Sequence, residues 1–214
     1  MTTRPAGKTA AELLGVPATP TRGRDRLVAT AIDLFYTHGF NAIGIDRVIA
    51  AAGVTKTTFY KHFEGKDDLM LEAVRTRDAW ESQAWARAVD RAAPGGDARA
   101  KLLALFDVLD EWFNAPDFRG CLFLNTAAEF PNPNDPIHQA AATYKRHNRD
   151  AWRDLALAAG TNAADAEAFA DLYAIVVEGT LVLRQVHGRN DAAVVARRAA
   201  EDLVNRFLPQ PGPI

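Results

Sequence analysis

The amino-acid sequence predicts an all-α fold, and three observations carry that expectation. Alanine supplies 41 of the 214 residues, and it is the best helix former and a poor strand former. Glycine and proline stand mostly between segments rather than inside them, where they act as breaks. Within the segments, apolar residues recur three and four apart, and none alternates as a half-buried strand would. The spacing predicts about nine helices, three short ones forming a small N-terminal head and the rest a larger C-terminal bundle.

Each element has a local reason. Residues 1–21 hold Pro5, Pro17, Pro20 and two isolated glycines, and read as a mobile arm with one helical turn at Thr9–Leu14. From Arg24 the pattern becomes helical, with Leu27, Ala31, Leu34, Phe35 and His38 on one face and Gly39 as the stop. A short helix spans Asp46–Ala52 and ends at Gly53; another runs from Lys56 to Phe63. Gly65 precedes a long helix whose first turn carries Asp67 and Asp68, suited to the positive helix end. Pro94-Gly95-Gly96 breaks it, and Asp97 caps the next helix, which reaches about Phe113. A short helix follows at Arg119–Phe130, then a long one at Pro136–Ala159. Asn162 caps a helix running to about His187, and Asp191 starts the last, which ends before Pro209. The expected domains are an arm at 1–21, a head at 22–69 and a bundle at 70–214.

Composition narrows the function. Hydrophobic residues at 48% and charged residues at 24% are an ordinary globular balance. The apolar runs are broken well short of the ~18 residues that a membrane span needs, and the N-terminus has no signal-peptide core. Cys121 stands alone, so an internal disulfide and a cysteine metal cluster are excluded, and a reducing cytoplasm is the expected location. Histidines 38, 62, 138, 147 and 187 show no metal spacing, and no cofactor is expected. No nucleophile elbow, phosphate-binding loop or zinc-protease motif is present, which argues against an enzyme. The net charge of −2 conceals an asymmetry: residues 1–66 carry 9 basic against 5 acidic side chains, and the rest carry 16 against 22. A basic head on an acidic body suits a polyanionic partner.

Residues 46–63 are two short helices joined by Gly53-Val54-Thr55. Gly53 allows the sharp turn and Thr55 is a good N-cap. Phe59 and Phe63, one turn apart, form the buried stripe of the second helix. Its other face carries Lys56, Thr57, Thr58, Lys61 and His62, with Tyr60 at the side. A helix N-terminus with exposed hydroxyl and ammonium donors is what docking in the DNA major groove requires. Lys56 and Lys66 lie near helix N-termini, where the dipole disfavours cations unless a phosphate is nearby.

The string Gly53-Val54-Thr55, Phe59-Tyr60, His62-Phe63, Gly65-Lys66 and Leu69 resembles the helix-turn-helix of TetR/AcrR family transcriptional regulators. Ala31, Leu34-Phe35 and Gly39-Phe40 are similar to the same family's first helix, so the likeness covers about residues 24–69. Gly120–Pro131 is similar to a stretch in the C-terminal domains of some members. The resemblance implies a homodimer that binds a double-stranded DNA operator and a small effector. It implies base contacts from Lys56, Thr57 and Thr58 and phosphate contacts from Tyr60, His62 and Lys66. It also gives a DNA-facing place to Thr55 and Lys61, and a minor-groove arm to Arg22 and Arg24. The chain departs from many members at Gly44, where a Thr or Ser often caps the second helix and touches phosphate.

In the bundle, the expected ligand-binding residues are Phe106, Cys121, Asn125, Glu129, His147 and Tyr173. Cys121 reads either as a small buried hydrophobe or as a redox sensor. Asn125 and Glu129, one turn apart, read as polar anchors in a pocket or as a capping pair facing solvent. His147 reads as pocket-lining or exposed. Glu178, in an apolar stretch, needs a ligand or an interface partner. Leu172, Val176, Gly179, Leu183 and Val186 form one stripe, and Val195, Ala199, Leu203 and Phe207 another. These fit an isologous four-helix dimer interface, with intrachain packing as the alternative. The function expected is a DNA-binding regulator, most simply a repressor of a palindromic operator released by a small ligand. The rivals are an activator and a helical small-molecule binder that never meets DNA; the latter has no need of the 53–66 surface.

Overall fold

The computed structural model describes residues 8–15 and 20–209. The parts of the expected arm at residues 1–7 and 16–19 lie outside the described residues. Ten helices and no strand occur among the described residues. They are α1 (Ala10–Leu14), α2 (Gly23–His38), α3 (Ile45–Ala52), α4 (Lys56–His62), α5 (Lys66–Ala92), α6 (Ala98–Phe113), α7 (Leu122–Glu129), α8 (Pro136–Ala158), α9 (Ala163–His187) and α10 (Ala192–Phe207). The tenth, against about nine expected, is α1. Thr9 caps it reciprocally with Glu12: the Thr9 hydroxyl accepts from the Glu12 N–H at 3.1 Å, and the Thr9 N–H donates to the Glu12 carboxylate at 2.7 Å. Leu13 and Leu14 are buried, so this part of the expected arm is tied into structure by apolar burial.

The described residues gather into two compact units. The head unit comprises 20–82 with 121–145; the body unit comprises 8–15, 83–120 and 146–209. Helices α5 and α8 each contribute to both.

The head unit is built on α2, whose Leu27, Val28, Ala31 and Phe35 are buried toward α3 and α4. Phe40 stacks on Phe35 with ring centroids 4.7 Å apart. Val48, Phe59, Phe63, Leu69 and Val74 complete this core. Helix α7 adds Leu122 and Phe123, and the start of α8 adds Ile137, Ala141 and Tyr144, all buried. Phe123 and Tyr144 stack nearly parallel, 3.6 Å between centroids. On α5, Arg77 pairs with the buried Glu81 one turn on, and its guanidinium lies over Trp80 at 4.6 Å. Burial works against the Arg77 charge, but the Glu81 carboxylate more than offsets it and holds the guanidinium above its ordinary range.

In the body unit, α10 lies against α9 and α6. Leu102, Phe106, Leu109, Trp112, Phe113, Phe169, Tyr173, Leu181 and Val204 fill the core. Arg149 of α8 reaches Asp171 of α9 at 2.8 Å and the Glu167 carboxylate. Arg99 of α6 donates to the carbonyls of Val204 and Leu208 at 3.3 and 3.2 Å, satisfying the end of α10. Arg184 donates to the Phe113 carbonyl at 2.8 Å, closing the end of α6.

Candidate nucleic-acid interface

The turn between α3 and α4 is built as its residues dictate. Gly53 closes α3 in the left-handed conformation (φ +62°), which a Cβ would oppose. Thr55 caps α4: its hydroxyl accepts from the Thr58 N–H at 3.1 Å. Phe59 is fully buried, edge-on to Tyr60 and 5.6 Å from Phe63. Burying that side fixes which side of α4 faces outward.

The outward side carries Thr55, Lys56, Thr57, Tyr60 and Lys61, all exposed, with Tyr60 at 53%. His62 and Lys66 are half-buried. Lys56 lies 3.3 Å from Asp46, both well exposed; such a pair is worth little in water, and a phosphate competes with it easily. Thr58 differs from its expected place. It is half-buried, its hydroxyl is 2.9 Å from that of Thr55, and its methyl lies against Gly23. The same helical turn that presents Thr57 directs Thr58 inward. Arg22 is exposed at the N-cap of α2. Arg24 is in α2 itself, paired with Glu72 at 2.8 Å and lying over the Phe63 ring, so it braces the head and is not an arm. Gly44 caps α3 with no side-chain bond, at φ −87° and with open space where a Cβ would stand.

Of the expected ligand residues, Phe106, His147 and Tyr173 belong to the body unit and Cys121, Asn125 and Glu129 to the head unit. Phe106 and Tyr173 meet edge-on in the body core, 5.7 Å between centroids. The Tyr173 hydroxyl donates to the Leu102 carbonyl, and complete burial raises its phenol well above the ordinary value. It is spent inside the core. His147, on α8, is exposed. Cys121 is buried at the N-cap of α7, and Asn125 is half-buried one turn on. Glu129 is engaged within the head unit: its two oxygens accept backbone N–H groups, from Phe40 at 3.0 Å and Asn41 at 2.9 Å. An open cavity of about 420 Å³ in the head unit is lined by Glu64, Asp67, Asp68, Leu71, Asp135, Pro136 and Ile137 and includes none of the six.

On α9, Leu172, Gly179 and Val186 are exposed, and Val176 and Leu183 half-buried; on α10, Val195 and Ala199 are exposed and Leu203 half-buried. The expected stripe missed Ile175, 68% exposed, with Val182 and Val194. The spacing held that signal, since 175 and 182 are one heptad apart beside the stripe. Glu178 is half-buried on the same helix.

The chain is similar to known proteins over most of its length. Residues 27–73 match the family described as "Bacterial regulatory proteins, tetR family", and residues 98–200 match "Tetracyclin repressor-like, C-terminal domain". "Transcriptional regulator AcuR" of Cereibacter sphaeroides is 28% identical over 196 residues, covering 82% of this chain and 87% of that protein. "HTH-type transcriptional regulator YjdC" of Escherichia coli is 25% identical over 186 residues, covering 85% and 93%. Among solved structures, SCO4454 of Streptomyces coelicolor, a TetR-family transcriptional regulator, superposes with a TM-score of 0.74 at 29% identity. That match covers 86% of this chain and 95% of SCO4454.

Proposed function

Since the chain belongs to the TetR family of DNA-binding transcriptional regulators, which are not enzymes, we propose that it is a cytoplasmic homodimeric repressor of a palindromic operator, released by a small effector. The observation that carries the DNA side is the outward face of α4, capped by Thr55 and bearing exposed Lys56, Thr57, Tyr60 and Lys61 over a buried Phe59. In the reading proposed, Thr57 and Lys56 meet base edges, and Tyr60, Lys61, His62 and Lys66 hold phosphates. Two copies of α4 then sit about 34–36 Å apart, one helical turn of DNA. No described helix is long and apolar enough to cross a membrane.

The two threonines should separate readout from support. Thr57→Ala should leave the melting temperature unchanged and alter preference at one or two operator positions. Thr58→Ala, losing its bond to Thr55 and its contact with Gly23, should weaken binding to every sequence alike. The check is a melting curve with a titration over single-base variants of the DNA upstream of its own gene. A Thr57→Ala variant that weakens all sequences equally would place Thr57 on the backbone instead.

The assembly rests on the exposed apolar stripes of α9 and α10. Water-facing Leu172, Ile175, Val182 and Val186 on one helix form a patch of the kind that marks a protein interface. Gly179 lies in that stripe with open space around it, so this chain alone accommodates a larger side chain there. Gly179→Leu should therefore keep the fold, yield monomers in sedimentation, and lose tight binding to a two-half-site operator. A variant that stays dimeric at micromolar concentration and binds normally would move the interface away from α9.

A further inference from the structure

We propose that Glu129 is a positioning residue for DNA binding: its carboxylate latches the turn between α2 and α3 and so sets how α3 and α4 are presented to DNA. The inference rests on the DNA-binding head, and not on the repressor or effector reading. Glu129 ends α7 and lies 89 and 88 residues along the chain from the amides that it holds. One carboxylate oxygen takes the Phe40 N–H at 3.0 Å and the other takes the Asn41 N–H at 2.9 Å. Bonds from N–H to an ionised carboxylate are about twice as strong as neutral ones. With both oxygens occupied, the side chain is engaged by the head rather than turned toward a ligand.

The surroundings are shaped to the same contact. Gly39 closes α2 at φ +83°, and a Cβ there would stand 3.0 Å from a Glu129 oxygen. Glycine thus serves both the turn and the approach of the carboxylate. The next residue of α7's terminus joins in: the Phe130 ring meets Phe40 edge-on at 5.7 Å. Helix α7 is itself held. Phe123 stacks on the buried Tyr144 of α8, and the Phe130 carbonyl lies 2.7 Å from the ring nitrogen of His138.

The turn needs an external hold because its far end has no side-chain cap. Gly44 begins α3 with no side-chain hydrogen bond. Between Gly39 and Ile45 the local anchors are the buried Phe40 and Ile43, which fix position through burial but leave the backbone polar groups of the turn to other partners. Helix α4 follows α3 through a single tight turn, so the direction taken at residues 39–44 is carried to the recognition face. Without the latch the head samples other directions, and affinity falls with the fraction that remains competent.

The test uses the full chain, Glu129→Ala and Glu129→Gln, and duplex DNA from the region upstream of its own gene. Glutamine keeps one acceptor and replaces the other by a donor facing an N–H. Affinity, measured well below each melting midpoint, should fall in the order Glu, Gln, Ala, with Glu129→Ala weaker by roughly 5–150-fold. Amide exchange should accelerate at Phe40 and Asn41 while amides of the body unit keep their protection. A residue that merely adds stability would not move either readout in folded protein. Wild-type affinity in folded Glu129→Ala overturns the latch, as does exchange that rises equally throughout the chain. If the alanine variant does not fold, Glu129→Gln decides: unchanged affinity with unchanged exchange at Phe40 and Asn41 overturns the proposal. If the wild-type chain binds no duplex DNA, the DNA-binding reading fails, and the exchange measurement decides the latch by itself.

Discussion

Phe59→Ala should cost about 3–5 kcal/mol, the usual range for emptying a fully buried phenylalanine site, and should abolish binding to every DNA sequence. Phe59 has no exposed surface, touches Phe63 and Tyr60 ring to ring, and is the buried residue of α4. Helix α4 has only seven residues, too few to persist by propensity alone. Its order comes largely from packing, in which Phe59 is the one buried residue within the helix. Against a total stability of about 5–15 kcal/mol for a typical domain, the loss is large. The effect should concentrate in the head unit, which a chain-wide melt blurs and amide exchange resolves. Three of the four tryptophans, Trp85, Trp112 and Trp152, lie in the body unit, so most of the fluorescence should remain close to native while α4 amides lose protection. An unchanged melting temperature together with intact DNA binding would show that α4 is held by something other than Phe59.

Arg77→Met should destabilise by a comparable ~3–5 kcal/mol, because it leaves the charge of Glu81 buried without its cation. Glu81 is 4% exposed, and the Tyr144 hydroxyl, 3.4 Å away, cannot replace a guanidinium. Replacing both partners, Arg77→Met with Glu81→Leu, should recover most of the loss, since apolar packing often matches a buried ion pair. Denaturant melts of wild type, Arg77→Met and the double variant check this; an Arg77→Met variant as stable as wild type would show that the buried pair is not needed by the fold.

Much of this protein is written locally. The helix starts at Thr55, Asp97 and Asn162 are as their side chains dictate, each oxygen accepting the N–H three residues on. The break at Gly53 and the pairing of Phe59 with Phe63 are local too, and these carry the DNA-binding head. Local chemistry likewise marks Thr9–Leu14, where a reciprocal cap outweighs the prolines around it. The periodicity of 172–186 gives the apolar stripe of α9, because a repeat of three and four is visible without knowing what covers it.

Spacing, capping and turn chemistry over a few residues thus set the fold class, the position of nearly every helix and the helix-turn-helix at 46–63. The use of charged and polar side chains depends instead on long-range packing. Thr57 and Thr58 look equivalent in sequence, yet one faces out and the other bonds Thr55. Arg77 and Glu81 have the spacing of an ordinary surface pair, and packing in the head unit buries it. Glu129 has the spacing of a pocket residue and is taken by two amides almost ninety positions away. A polar group's partner is whatever the fold brings within about 3 Å of it, and when that partner lies far along the chain, no local pattern encodes it.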